Sequence, residues 1–170
     1  MNKKILKTML IVSMLIVTLI GLTGCKMSLK DKKARDELRP ICGTWGSNSK
    51  NSACFVFEED KTFYWYKSES DKNDNYYKGT IEYLKGTAAM DELKLSYSGL
   101  LRLIANSKGE ISVDNVYCLK LSPTYLISSG VDKTDTVKGK VMKLLFVYID
   151  KSTAQAYNYN TGDVYDLVKK

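Results

Sequence analysis

The sequence predicts a mainly β fold: a small antiparallel barrel or sandwich of about eight strands with a short helical insertion. Three observations carry this. Short runs rich in Val, Ile, Phe, Tyr and Trp recur between residues 41 and 168, each bounded by Gly, Asn, Asp, Ser or Lys. Most connections between the runs are a few residues long, which suits hairpins rather than the long crossovers of a parallel sheet. A single stretch, 87–105, changes to helical character.

The runs follow in order. Residues 41–46 (Ile-Cys-Gly-Thr-Trp-Gly) form a short strand ended by the polar loop 47–52. Residues 53–58 (Ala-Cys-Phe-Val-Phe-Glu) and 62–67 (Thr-Phe-Tyr-Trp-Tyr-Lys), joined by Glu59-Asp60-Lys61, read as a hairpin. Side chains alternate between faces along a strand. Phe55 and Phe57 therefore share one face, as do Phe63 and Trp65, and these four make the first core. Tyr64 and Tyr66 point the other way. After a polar loop, 76–84 places Tyr77, Ile81 and Tyr83 on one face and Lys78, Thr80 and Glu82 on the other.

Thr87 is a reasonable N-cap for a helix over 88–94, and 98–105 makes a second short helix stopped near Gly109. Strands then resume. The run 115–121 is expected to end at Ser122-Pro123, because proline cannot continue a ladder. Residues 124–128 form a weak edge and 130–140 a loop. Residues 141–150 form the most apolar segment of the body and a central strand, and 154–159 and 164–168 complete the set around an Asn160-Thr161-Gly162-Asp163 turn, which is ordinary turn chemistry.

The N-terminus is of a different kind. Lys3, Lys4 and Lys7 precede a short apolar run over residues 9–20, then Gly21-Leu22-Thr23-Gly24-Cys25. A charged start, a short apolar core and small residues before a cleavage point make a secretory signal, and the run falls short of the about 20 residues a bilayer crossing needs. Leu22-Thr23-Gly24-Cys25 resembles the lipobox of bacterial lipoproteins. That resemblance implies cleavage before Cys25 and a diacylglyceryl group on its sulfur, with palmitate-type chains. Two acyl chains hold a protein stably where one holds it marginally. The expected organisation is a signal over 1–24, a lipidated Cys25 with a basic tether over 25–39, and a single β-rich domain over 40–170, placed on the extracytoplasmic face of the cell membrane.

Charge follows the same division. The chain carries 26 Lys and Arg against 19 Asp and Glu, a net +7. Three bases and no acids leave with the signal, so the remainder is near +4. Six bases and three acids lie in 26–39, so the body is close to neutral. The basic segment sits where anionic headgroups attract juxtamembrane lysines, and nothing points to nucleic acid. Histidine is absent, which removes histidine-based nucleophile activation and most zinc sites. No pair of acids stands out as catalytic, so a non-enzymatic role without cofactor or metal is expected.

Three cysteines besides Cys25 leave an odd number. Cys42–Cys54 would close a short loop, Cys118 can reach Cys54 instead, and all three can be buried and reduced; the residues do not choose. A reactive Cys118 lacks a histidine to activate it. Asp71, Asn73, Asn75 and Glu82 match the spacing of an EF-hand loop at four positions, but Tyr76 stands where the sharp turn needs glycine, so the segment reads as a surface hairpin loop.

Gly43-Thr44-Trp45 on the first strand resembles the Gly-x-Trp signature of lipocalins, and the aromatic hairpin after it is similar to lipocalin-like bacterial lipoproteins. The resemblance implies an eight-stranded calyx with the tryptophan plugging one end, although lipocalins carry their helix after the last barrel strand rather than mid-chain. The expected function is binding of a ligand or protein partner outside the membrane, with Phe57, Trp65, Tyr77 and Tyr83 lining a cavity and Tyr64 and Tyr66 offering stacking area outside. The alternative is an immunity or envelope-protection lipoprotein that intercepts a peptide or toxin.

Overall fold

The computed structural model describes residues 29–47, 52–103 and 111–170. The signal, Cys25 and the start of the tether lie outside them, as does the expected helix stop near Gly109. A helix, α1 (Leu29–Leu38), runs into a 3-10 turn (Arg39–Ile41). Nine strands follow: β1 (Gly43–Gly46), β2 (Cys54–Phe57), β3 (Thr62–Tyr66), β4 (Asn75–Lys85), β5 (Val116–Ser128), β6 (Val131–Asp132), β7 (Met142–Tyr148), β8 (Thr153–Asn158) and β9 (Val164–Lys169). Between β4 and β5 lie two helices, α2 (Thr87–Glu92) and α3 (Tyr97–Leu103).

Every strand pairing is antiparallel. The order runs β1-β2-β3-β4-β5-β7-β8-β9 and closes where β9 pairs with β1, so eight strands form a closed up-and-down barrel and β6 is a short addition beside the end of β5. Closure removes the unpaired edges an open sheet would expose. An eight-stranded barrel is just wide enough for side chains to fill. Here Trp45, Phe55, Phe57, Phe63, Leu119 and Phe146 fill it, none of them exposed to solvent. The expected first core of Phe55, Phe57, Phe63 and Trp65 is present, with Phe55 and Trp65 rings 5.1 Å apart.

The helical insertion packs on the outside of the wall. Ala89, Met90, Leu93 and Leu100 cover the outward residues Val116, Cys118, Leu145 and Val147. This explains why β5 and β7 are apolar on both faces: one face fills the barrel and the other lies under α2 and α3. Lys120 and Lys143 sit directly opposite on these two strands, an unfavourable pairing of like charges. Glu92 of α2 bridges both, at 3.0 Å and 2.8 Å.

Two local expectations are corrected. The residue capping α2 is Gly86, not Thr87, and no side chain caps it. Its φ of 65° turns the chain out of β4, a conformation that favours glycine, and its N–H stays bonded to the Val116 carbonyl at 2.8 Å. Nor does β5 stop at Pro123. It continues to Ser128, with Thr124 as an extra residue between Pro123, which faces Gly79, and Tyr125, which faces Lys78. Pro123 lies past the last β7 pair, Leu121 with Met142. The strand there has a ladder on one side only, which is where proline is tolerated. The close approach at the bulge needs glycine opposite. A Cβ on Gly79 would lie 2.1 Å from the Ser122 carbonyl oxygen and 2.8 Å from the Phe63 ring.

Candidate functional site at the open end of the barrel

The two ends of the barrel are built differently. At one end the last turn of α1 and the 3-10 turn form a plug. Leu38 and Ile41 are fully buried. The Trp45 indole N–H donates to the Ile41 carbonyl at 2.7 Å, and the ring meets Phe146 edge-on at 5.4 Å. The Tyr117 hydroxyl donates to the Glu37 carbonyl and the Tyr83 hydroxyl to the Glu37 carboxylate, at 3.2 and 3.3 Å. Burial is the main reason that both phenols are pushed up to about 12, with the Glu37 charge adding to it.

The other end is open. A cleft of about 600 Å³ lies between the ends of β3, β5 and β8 and the starts of β4 and β9. Trp65, Tyr77, Leu126 and Tyr165 give it an apolar wall. Trp65 packs against Tyr77 at 5.5 Å and stands almost perpendicular to Tyr165, at 86° and 6.2 Å. Polar groups share the lining. Asn158, 2 % exposed, accepts from the Asn160 N–H at 2.9 Å and its amide also reaches the Tyr165 hydroxyl. Asp163 accepts from the Thr161 hydroxyl at 2.6 Å and from the Tyr165 hydroxyl at 3.4 Å. Burial first, then the Asp163 charge, pushes the Tyr165 phenol up to about 12. Lys67 and Asp163 are the charged residues of the lining.

Of the six aromatic candidates, two meet here. Trp65 and Tyr77 face each other in register across β3 and β4 and line the cleft. Phe57 is buried in the packed interior, stacked on Phe55 and edge-on to Phe146, and Tyr83 belongs to the plugged end, so neither lines the cleft. Tyr64 and Tyr66 lie on the outer wall, parallel to within 5° and 6.0 Å apart, with Lys78 over one ring and Lys72 over the other. The row continues through Tyr76 to Tyr125, each step 5.9 Å. Tyr165, Leu126, Asn158, Lys67 and Asp163 are among the cleft residues that sequence reasoning missed. The alternation along β9 puts Tyr165 on the same face as Leu167 and could have found it.

The remaining motifs resolve locally. Cys42, Cys54 and Cys118 are free thiols. Cys54 on β2 and Cys118 on β5 have two strands between them, about 14 Å at the usual strand spacing. Cys42 lies four residues along the chain from Gly46, the partner of Cys54; both separations exceed disulfide reach. Burial pushes all three thiols up, Cys42 to about 11, which lowers their reactivity at neutral pH. In the 71–75 loop the Asp71 carboxylate accepts from the Asp74 N–H and the Asn75 amide, at 3.3 and 2.7 Å, closing the turn, while Glu82 lies far along β4 opposite Lys120. Among the described residues no three His, Cys, Asp or Glu side chains converge to hold a metal, and no helix is long and apolar enough to cross a membrane.

Comparisons with protein-family models, with curated proteins and with solved structures find no match to this chain.

Proposed function

We propose that this chain is a membrane-anchored extracytoplasmic lipoprotein that acts by binding rather than catalysis, its barrel taking a small ligand into the open mouth. One observation carries the binding part: the mouth cleft of about 600 Å³, with an aromatic wall and a few convergent polar groups. Ligand sites are commonly concave, of this size and of this mixed lining. Closure of the barrel supports it, because a plugged lower end and a packed interior give the mouth a rigid base. The anchor rests on Lys3, Lys4, Lys7 and the Leu22–Cys25 sequence.

Fluorescence of a bound dye tests the binding. The emission of 1-anilinonaphthalene-8-sulfonate is expected to rise on titration with the wild-type chain, to need about tenfold more protein for the same rise when Tyr77 and Tyr165 of the cleft lining are both changed to Ser, and to be unaffected by Trp45→Phe at the plug. No rise, or the same titration for the wild type and the cleft variant, would remove the mouth as the site. For the anchor, cells fed an alkyne-tagged palmitate are expected to label the wild-type chain and not Cys25→Ser; equal labelling would remove it.

A second reading has its own support. The outer row of Tyr64, Tyr66, Tyr76 and Tyr125 offers rigid aromatic area with polar tips, the composition favoured where proteins or peptides are gripped. In this reading the same anchored domain intercepts a peptide or toxin. A deletion strain should then become more sensitive to envelope-active peptides, and a Tyr64→Ser, Tyr66→Ser chain should fail to restore resistance.

A further inference from the structure

Resting on the reading of the mouth as a binding site, we propose that the cleft takes an extended peptide segment of another protein, which pairs by its backbone with the free edge of β9.

The barrel wall is not equally closed all round. β8 and β9 pair along nearly the whole of β9, from Tyr157 with Val164 to Thr153 with Val168. On the other side, among the described residues, β9 meets β1 only at Val168 with Gly46 and at Lys169 with Trp45. β1 ends at Gly46, whereas β9 reaches on toward the mouth from Leu167 back to Val164. That half of β9 has a ladder on one side and an edge on the other. Val164 stands on this edge and is 53 % exposed.

Three hydrogen bonds fix which backbone groups lie along the edge. The Asp163 carbonyl accepts from the Asn158 N–H at 2.9 Å, and the Lys169 N–H donates to the Ser152 carbonyl at 2.8 Å, both on the β8 side. The Lys170 N–H donates the other way, to the Thr44 carbonyl of β1 at 2.9 Å. Residues of an antiparallel strand turn their backbone groups alternately to one neighbour and the other. The odd-numbered residues of β9 therefore bond to β8. The N–H and C=O of Val164 and Asp166 point to the open side, in line with those of Val168 that meet β1.

A row of unpaired N–H and C=O groups is a template for another strand. A peptide backbone carries donors and acceptors at the matching repeat, and a compact small molecule does not. The space has the right width as well. β1 is the single strand between β9 and β2, so the two are about 10 Å apart, two strand spacings. Beyond Gly46 the cleft has Val164 and Tyr165 on one flank and Ser52 and Ala53, which lead into β2, on the other. An added segment thus continues the line of β1.

Alternation then sorts its side chains. Residues opposite Val164 and Asp166 point outward. The residue between them lies opposite Tyr165, whose ring packs inward with Phe55 and Trp65, so it points into the cleft, among Tyr77, Leu126 and Tyr165. This position calls for an apolar side chain. Main-chain bonds supply affinity and the alternate side chain supplies specificity, as in other strand additions.

The test titrates the full chain, in a non-ionic detergent, with acetyl-Ser-Thr-Val-Thr-Val-Thr-Ser-amide, followed by backbone amide signals and by amide hydrogen exchange. Exchange at Val164 and Asp166 is expected to be fast in the free chain and slowed by the peptide. With valine pointing inward, the threonine N–H groups face β9 and the valine N–H groups face away. N-methylation of the threonines should weaken binding about tenfold or more, whereas N-methylation of the valines should not. Val164→Pro removes one edge donor at a position where proline is tolerated and should weaken the peptide about tenfold; Val164→Ala keeps the donor and should not. Equal binding of the two methylated forms, or full binding by Val164→Pro, overturns strand addition while dye binding leaves the mouth a ligand site. Slow exchange at Val164 and Asp166 in the free chain also overturns it, because the edge is then already paired. If neither the peptide nor 1-anilinonaphthalene-8-sulfonate binds at the mouth, the ligand-site reading falls too.

Discussion

The plugged end and the open end of this barrel use the same residue types for opposite ends. At the plug, Trp45, Tyr83 and Tyr117 spend their polar tips on the Ile41 carbonyl and on Glu37, and their rings on Phe146 and the packed interior. At the mouth, Trp65, Tyr77 and Tyr165 form a wall that faces a cleft. An aromatic residue in a small barrel is thus structural or available according to its height along the axis, because Leu38 and Ile41 close one end and hairpin loops frame the other.

The largest effect should come from emptying the plug. Trp45→Ala removes a fully buried ring and its bond to Ile41 and is expected to cost about 3–5 kcal/mol of stability, read from a denaturant titration. A loss below 1 kcal/mol would mean that the plug does not organise the barrel. Gly79→Ala is next, at about 1–3 kcal/mol, since its Cβ would press on the Ser122 carbonyl, Phe63 and the backbone at Pro123.

Alkaline pH should act on both ends alike. Tyr83 and Tyr117 at the plug and Tyr165 at the mouth are each held up to about 12 in the folded protein, against an unfolded value near 10. Between these values the unfolded chain releases protons that the folded one keeps. Stability should therefore be unaffected by these groups below pH 10 and fall as pH rises toward 12. A series of melting temperatures across this window should show the decline, and Tyr117→Phe should flatten it. The smallest effect belongs to the mouth. Tyr165→Phe keeps the ring and loses the hydroxyl's contacts to Asp163 and Asn158, for about 1 kcal/mol, while releasing Asp163 at the cleft; equal loss at Tyr165→Phe and Trp45→Ala would erase the distinction between the ends.

Much of this fold is legible in the sequence, and the limits are instructive. The strands announce themselves by β-branched and aromatic runs, and alternation assigns Phe55, Phe57, Phe63 and Trp65 to one interior. Alternation gives the face of a residue and not its height. Phe57 and Tyr83 share the inward face with Trp65 and Tyr77, yet one is packed against Phe55 and Phe146 and the other lies by the plug. Leu126, Asn158 and Tyr165 join the cleft from strands distant in the chain, so only the closed topology brings them together. The rule that proline ends a strand assumes a ladder on both sides, and Pro123 has one. The continuous apolarity of β7 signalled a central strand; its cause is the α2 and α3 cover on the outer wall, which local pattern does not reveal.

The central claim is that function sits at the mouth. Backbone amide shifts recorded during a titration with 1-anilinonaphthalene-8-sulfonate test it most directly. The account predicts that Trp65, Tyr77, Asn158 and Tyr165 move together and saturate, while Trp45, Tyr117 and Phe146 stay fixed. Shifts confined to the Tyr64–Tyr66 outer row, or spread to the plug and absent from the mouth, would contradict it.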